Sequence, residues 1–125
     1  LRVSNRSSIQ ESLIGISIPS RGFNALTASI NKDALRTMMS QASGVRRTGS
    51  AALDLAYVAA GRLDAALELE LAPWDMAAGV LLVQEAGGIA CDLKGGENYF
   101  KTRHIIVANP KLCPLVLKAI SATTS

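Results

Sequence analysis

The sequence predicts an α/β domain built on a mostly parallel, mixed sheet with helices on both faces. Three observations predict it. Short apolar runs of strand length, rich in Ile, Val and Leu, recur along the chain. Between them lie segments whose apolar residues return at helical spacing. The two kinds alternate, and that alternation favours crossovers over a parallel sheet covered on both faces.

The elements follow in order. Arg2-Val3-Ser4 reads as a strand already under way, and Leu1 is not an initiator methionine, so the chain is expected to be a piece of a longer protein. Ser8 to Ser12 is a short polar turn or helix stub. Leu13 to Ile18 is a compact run with β-branched residues, stopped by Pro19, and Pro19 to Asn24 is a loop. Asn24 can cap a helix running to about Ser43, with Leu26, Ile30, Leu35, Met38, Met39 and Ala42 as its apolar positions and Gly44 closing it. Val45-Arg46-Arg47 is a short extended piece. Gly49-Ser50 opens a second helix, Ala51 to Ala60, ended by Gly61.

Leu63 to Leu71 alternates cleanly. Leu63, Ala65, Leu67, Leu69 and Leu71 face one way; Asp64, Ala66, Glu68 and Glu70 face the other. Pro73 sits where a helix starts, and Trp74 to Ala86 is that helix, terminated by Gly87-Gly88. Ile89 to Leu93 is a strand, Lys94 to Asn98 a glycine-rich turn, and His104 to Ala108 another strand. Asn109 caps a last helix beginning at Pro110, with Leu112, Leu115, Val116 and Ile120 as its stripe and Pro114 near its first turn.

Bulk properties bound the function. At 125 residues the chain is one domain, long enough to bury a core. Hydrophobic residues at 49% and charged residues at 18% are far from a disordered composition. No apolar run reaches the roughly 18 residues of a membrane span. The charge of +3 is scattered apart from Arg46-Arg47, and aromatics are 4%, so a nucleic-acid face is not evident. Cys91 and Cys113 have no metal-ligand or Cys-x-x-Cys spacing and read as small buried hydrophobes in a reducing, cytoplasmic compartment.

Three features point to chemistry. In Leu71-Ala72-Pro73-Trp74-Asp75 a strand ends and a carboxylate enters the first turn of a helix. The free N–H groups there stabilise an anion by roughly 0.3–1 kcal/mol and keep it ionised. Local physics alone makes Asp75 a charge cap; an ionised carboxylate is also the kind of oxygen ligand Mg²⁺ takes. Gly49-Ser50-Ala51, at a strand-to-helix junction, is either an ordinary Ser50 cap or a place where a ligand approaches the backbone. Glu68 lies near the C-terminal end of its strand, where ligands bind in open α/β sheets, and Glu70 shares its parity; otherwise both lie on a solvated strand face.

The run Trp74-Asp75-Met76-Ala77-Ala78-Gly79-Val80-Leu81-Leu82-Val83-Gln84-Glu85-Ala86-Gly87-Gly88 resembles the second signature of the inositol monophosphatase family. Arg47 to Asp54 resembles its Gly-Ser/Thr-Ala-Ala segment. Asp92 to Gly96 and Ile106 to Asn109 resemble its closing strands. The resemblance implies the C-terminal half of a layered αβαβα sugar phosphatase. It implies Asp75 as a ligand of a catalytic Mg²⁺ and Glu68 as a binder of sugar hydroxyls. Gly49, Ser50 and Ala51 would line the substrate pocket, with Ser20 a substrate-side serine. Glu70 stands where the family has a small residue. The family's Asp-Pro-x-Asp-Gly-Thr signature and upstream Glu-Glu site are not in this sequence, so the metal- and phosphate-binding N-terminal domain is expected elsewhere.

The implied activity is Mg²⁺-dependent hydrolysis of inositol or sugar monophosphates by a homodimer, with the isolated chain inactive. Relatives acting on bisphosphate nucleotides, fructose bisphosphate or histidinol phosphate share the Trp-Asp signature. A role as a partner of RNA or RNA polymerase is the reading from another class. His104, without a second His or Cys, reads as structural or exposed. Trp74 reads as packing that fixes the helix start.

Overall fold

The computed structural model describes residues 1–17 and 32–121. Its strands are β1 (Leu13–Ser17), β2 (Gly44–Arg46), β3 (Ala65–Glu68), β4 (Ile89–Cys91) and β5 (Ile105–Ala108). Its helices are α1 (Lys32–Gln41), α2 (Ala51–Ala59), α3 (Pro73–Glu85), α4 (Tyr99–Thr102) and α5 (Cys113–Ser121), and Ile9–Glu11 forms one 3₁₀ turn. The sheet order is β2-β1-β3-β5-β4.

The sheet is mixed. β2 and β3 flank β1 in parallel; β5 runs antiparallel to both β3 and β4. Four strands therefore share one direction and β5 alone opposes them. The alternating pattern predicted the shared direction. It did not reveal that β5 slots between β3 and β4, which chain-order periodicity does not encode.

Two apolar layers enclose the sheet. On one face α1 and α5 bring Leu35, Met38, Val116 and Ile120, with Leu112 just ahead of α5, against Ile14, Ile16, Leu67 and Ile106. On the other, α2 and α3 bring Leu55, Val58, Met76, Val80 and Val83 against Ala66, Ile105 and Val107. α2 and α3 approach closely because of Gly79: a Cβ there would overlap the Leu55 side chain. That glycine belongs to the Ala-Ala-Gly run of the Trp-Asp signature, so the motif is partly a packing requirement.

Several expectations change. Arg2 to Ser4 form no strand; Val3 N–H donates to Ala86 O at 3.0 Å, and that bond ties the segment down. Gly44 is no helix cap. It begins β2 opposite Leu13, and Ser43 N–H instead donates to Ser12 O at 2.9 Å. The helix start at Asn24, with Leu26 and Ile30, lies outside the described residues. The Leu63 to Leu71 strand contracts to Ala65–Glu68, because Glu70 turns the chain with φ 57°. Its polar face is not solvated: Asp64, Ala66 and Glu68 are buried, since β1 and β5 flank the strand and helices cover both sides. A short helix, α4, forms between the expected turn and the expected strand, over residues to which no element was assigned.

Candidate active-site edge

β2, β1 and β3 are adjacent and parallel, so their C-terminal ends open on the same edge of the sheet. After β2 comes Arg47 to Ser50 and the start of α2. After β3 comes Leu69 to Ala72 and the start of α3. The chain thus brings Gly49, Ser50, Ala51, Glu68 and Asp75 to one edge, the place where open α/β sheets bind ligands. Ser20, which follows β1, lies outside the described residues.

Gly49 is exposed with φ 81°, a conformation glycine alone adopts freely, and the space a Cβ would occupy is empty. Ser50 is extended, and its Oγ accepts Leu53 N–H at 3.2 Å, so it is the N-cap of α2. Its capping role and its place on the site's edge coexist. Thr48 Oγ1 accepts Ser50 N–H at 3.2 Å and donates to Asp54 Oδ1 at 2.7 Å, which fixes this turn to the interior.

Asp75 sits in the first turn of α3, behind Pro73 and an Ala72 that offers no side-chain cap. It is half-buried, and among the described residues no hydrogen bond or ion pair engages its carboxylate. A carboxylate held at a helix start and left without a protein partner fits one oxygen ligand of a hard cation. It does not make a site alone: among the described residues no three His, Cys, Asp or Glu side chains converge.

Glu68 is fully buried at the end of β3, on the face covered by α2 and α3. Beside it lies Asp54 of α2, also fully buried and packed against Gly15 of β1, where an added Cβ would meet Asp54 Cγ at 3.3 Å. The two carboxyls interact, yet no oxygen pair between them has hydrogen-bond geometry. Among the described residues both Glu68 oxygens and Asp54 Oδ2 lack a partner. Burial, and then the neighbouring Asp54 charge, push the Glu68 carboxyl up to about 10, so it stays neutral at pH 7.

Sequence reasoning missed Asp54. Its signal was there: a lone acid four residues before Val58, on the apolar face of a short helix.

Glu70 does not share Glu68's position. It has left the strand, and its N–H donates to His104 Nδ1 at 3.2 Å. Burial lowers the His104 pKa, with Glu70 opposing, so the ring accepts this bond in neutral form; His104 is structural. Trp74 corrects its expectation outright. It is 74% exposed, and Leu81 and Leu82 on the same helix are exposed as well. α3 is apolar on both sides, and only one side meets this chain's core.

The family model for the inositol monophosphatase family matches residues 1–125. The chain belongs to the inositol monophosphatase family. It is 44% identical over 120 residues to the Nus factor SuhB of Pseudomonas aeruginosa, covering 96% of this chain and 44% of that protein. It is 42% identical over 125 residues to the inositol-1-monophosphatase of Mesorhizobium japonicum, covering all of this chain and 46% of that one. Among solved structures, the extragenic suppressor protein suhB of Bartonella henselae matches with a TM-score of 0.84 and 42% identity over 94% of this chain and 44% of that one. The inositol monophosphatase of Anabaena matches with a TM-score of 0.83 and 34% identity, over 95% of this chain and 46% of that one. The chain therefore spans just under half the length of these relatives. Among the described residues no helix is long and apolar enough to cross a membrane.

Proposed function

We propose that this chain is the C-terminal half of a Mg²⁺-dependent phosphatase acting on inositol or sugar monophosphates. The observation that carries the reading is the shared edge: Glu68 ends β3, Asp75 follows β3, and Gly49 to Ala51 follow β2, the two strands that flank β1 in parallel. The match of this whole chain to 46% of a relative named inositol-1-monophosphatase supports it. Asp75 supplies one ligand, and the remaining ligands come from residues beyond these. Mg²⁺ held in part by Asp75 would supply the charge that activates water and stabilises the leaving oxygen of a phosphate monoester. Gly49, Ser50 and Ala51 let the ester approach the backbone, and Ser20 serves as a substrate-side serine. Glu68 is buried without a partner, and a sugar hydroxyl reaching it would supply the hydrogen bonds its oxygens lack.

The test has two arms. Asp75→Asn in the full-length protein abolishes Mg²⁺-dependent phosphate release while the fold persists. The isolated 125 residues release none; robust turnover by them sinks the shared-site reading. A panel of inositol, histidinol, fructose and nucleotide phosphates on the full-length protein sorts the substrate.

A second reading has its own support. Relatives named Nus factor SuhB match this chain at 44% identity, and Arg46 and Arg47 are exposed beside the Gly49 turn. Here the domain is a contact surface for the transcription machinery. Replacing both arginines with alanine and measuring binding to RNA or polymerase across a salt series discriminates; no binding by the wild type at low salt ends this reading.

A further inference from the structure

Cys91 ends β4, an edge strand, and Cys113 opens α5, 22 residues later. Nothing in their spacing marks them as a pair. The fold nevertheless sets their Sγ atoms 3.5 Å apart. Cys91 pairs in register with Ile106 of β5 and joins the face covered by α1 and α5. α5 packs on that face through Cys113, Val116 and Ile120, with Leu112 just ahead of it. Both thiols are free and buried. Among the described residues no third metal-ligating side chain joins them, which leaves a dithiol rather than a metal site.

We propose that Cys91 and Cys113 form a dithiol site that a low-molecular-weight disulfide of the glutathione class oxidises to an intrachain disulfide, pinning α5 to the edge of the sheet within the native geometry. A disulfide needs its sulfurs at about 2.05 Å, so closure asks for an approach of about 1.5 Å between side chains already in contact.

The two thiols have different roles. Either sulfur can donate in the contact between them, and that contact lowers the Cys113 pKa and raises that of Cys91. The Cys113 thiolate therefore attacks first. It bonds to one sulfur of the reagent disulfide, whose S–S bond breaks, and the released thiolate takes up a proton. The Cys91 thiol then loses its proton and its sulfur attacks the Cys113 sulfur of the mixed disulfide. That step forms the Cys91–Cys113 bond and expels the second reagent thiol. Two cysteine thiols and one reagent disulfide become one protein disulfide and two reagent thiols, with two electrons passing to the reagent. Access for the first attack comes from local opening of β4, which among the described residues has a strand neighbour on one side only.

The test equilibrates the full-length protein with glutathione at graded oxidised-to-reduced ratios, in buffer and in urea below the unfolding transition. Free thiols are then blocked, and the protein is mapped without reduction. The expected result is a peptide linking Cys91 to Cys113, an intact mass lower by two hydrogens, and a thermal midpoint raised by several degrees until reductant is added. Cys91→Ala should abolish the linked peptide and leave Cys113 carrying glutathione. Glutathionylated cysteines without the linked peptide would overturn the proposal. So would no reaction of either thiol in both buffer and urea, or a linked form with a lowered midpoint.

Discussion

Glu68→Gln tests the buried carboxyl directly. In the folded chain Glu68 is held neutral, its pKa pushed from 4.5 to about 10 by burial and then by the Asp54 charge. In the unfolded chain it titrates near the ordinary value. The folded state therefore binds more protons at this site between those two values. The sign follows: below pH 4.5 both states hold the proton and the site adds no pH dependence, and stability falls as pH rises from there toward 10. At about 1.4 kcal/mol per pH unit, holding that proton lowers stability by about 3 kcal/mol between pH 4.5 and pH 7. This figure needs only that the folded value lies above 7. Glutamine has the shape of the neutral acid and does not titrate. The variant should match the wild type in stability near pH 4.5 and exceed it by about 3 kcal/mol at pH 7. Urea unfolding of both proteins at several pH values reads the difference, and other titrating groups cancel in it. Stability curves that stay parallel over this range would refute the reasoning and place a counter-charge or a donor on Glu68.

Other sites give sharper local tests. Gly79→Ala gains about 1 kcal/mol of helix propensity, but its Cβ overlaps the fully buried Leu55, an overpacking cost of about 1–3 kcal/mol. A net loss of about 1 kcal/mol is expected in urea unfolding, and Leu55→Val should relieve part of the clash in the double variant. Ser50→Ala removes the acceptor for Leu53 N–H and should cost about 1 kcal/mol, seen as a lowered denaturation midpoint with unchanged slope. For Asp92, burial raises the pKa, but N–H bonds from Gly96 at 2.9 Å, Lys94 at 2.8 Å and Asn98 at 3.0 Å outweigh it and hold the carboxyl below its ordinary value. Its stabilisation is present above the unfolded value and lost as pH falls through the folded one. Asp92→Ala should therefore cost about 2–4 kcal/mol at pH 7 and much less near pH 2.

Much of the candidate site was legible because its signals are local. Ser50 ahead of a helical run, Asp75 behind a proline and Gly49 before a cap are matters of a few consecutive residues, and each lies where the pattern put it. Glu68 was placed correctly near a strand end, and the alternative of a solvated face fails because that face is buried. Alternation tells which residues share a side, and only the neighbours of the strand tell whether that side is wet. Glu70 was paired with Glu68 by parity, but one residue at φ 57° broke the strand between them. Trp74 was expected to pack because it is large and apolar. Its exposure depends on where the chain's own core lies around α3.

The sequence by itself determined the alternation of strands and helices, the family, and some of the residues that start elements, Ser50 and Pro73 among them. These rest on periodicity, caps and turn residues, whose energies act within a few positions. The tertiary structure alone decided that β5 runs against its neighbours, that Asp54 and Glu68 meet inside, and that Cys91 and Cys113 touch. Each of those facts joins residues distant in the chain. The free energy that brings them together belongs to the packed sheet and its two helical layers, so no short window of sequence carries it.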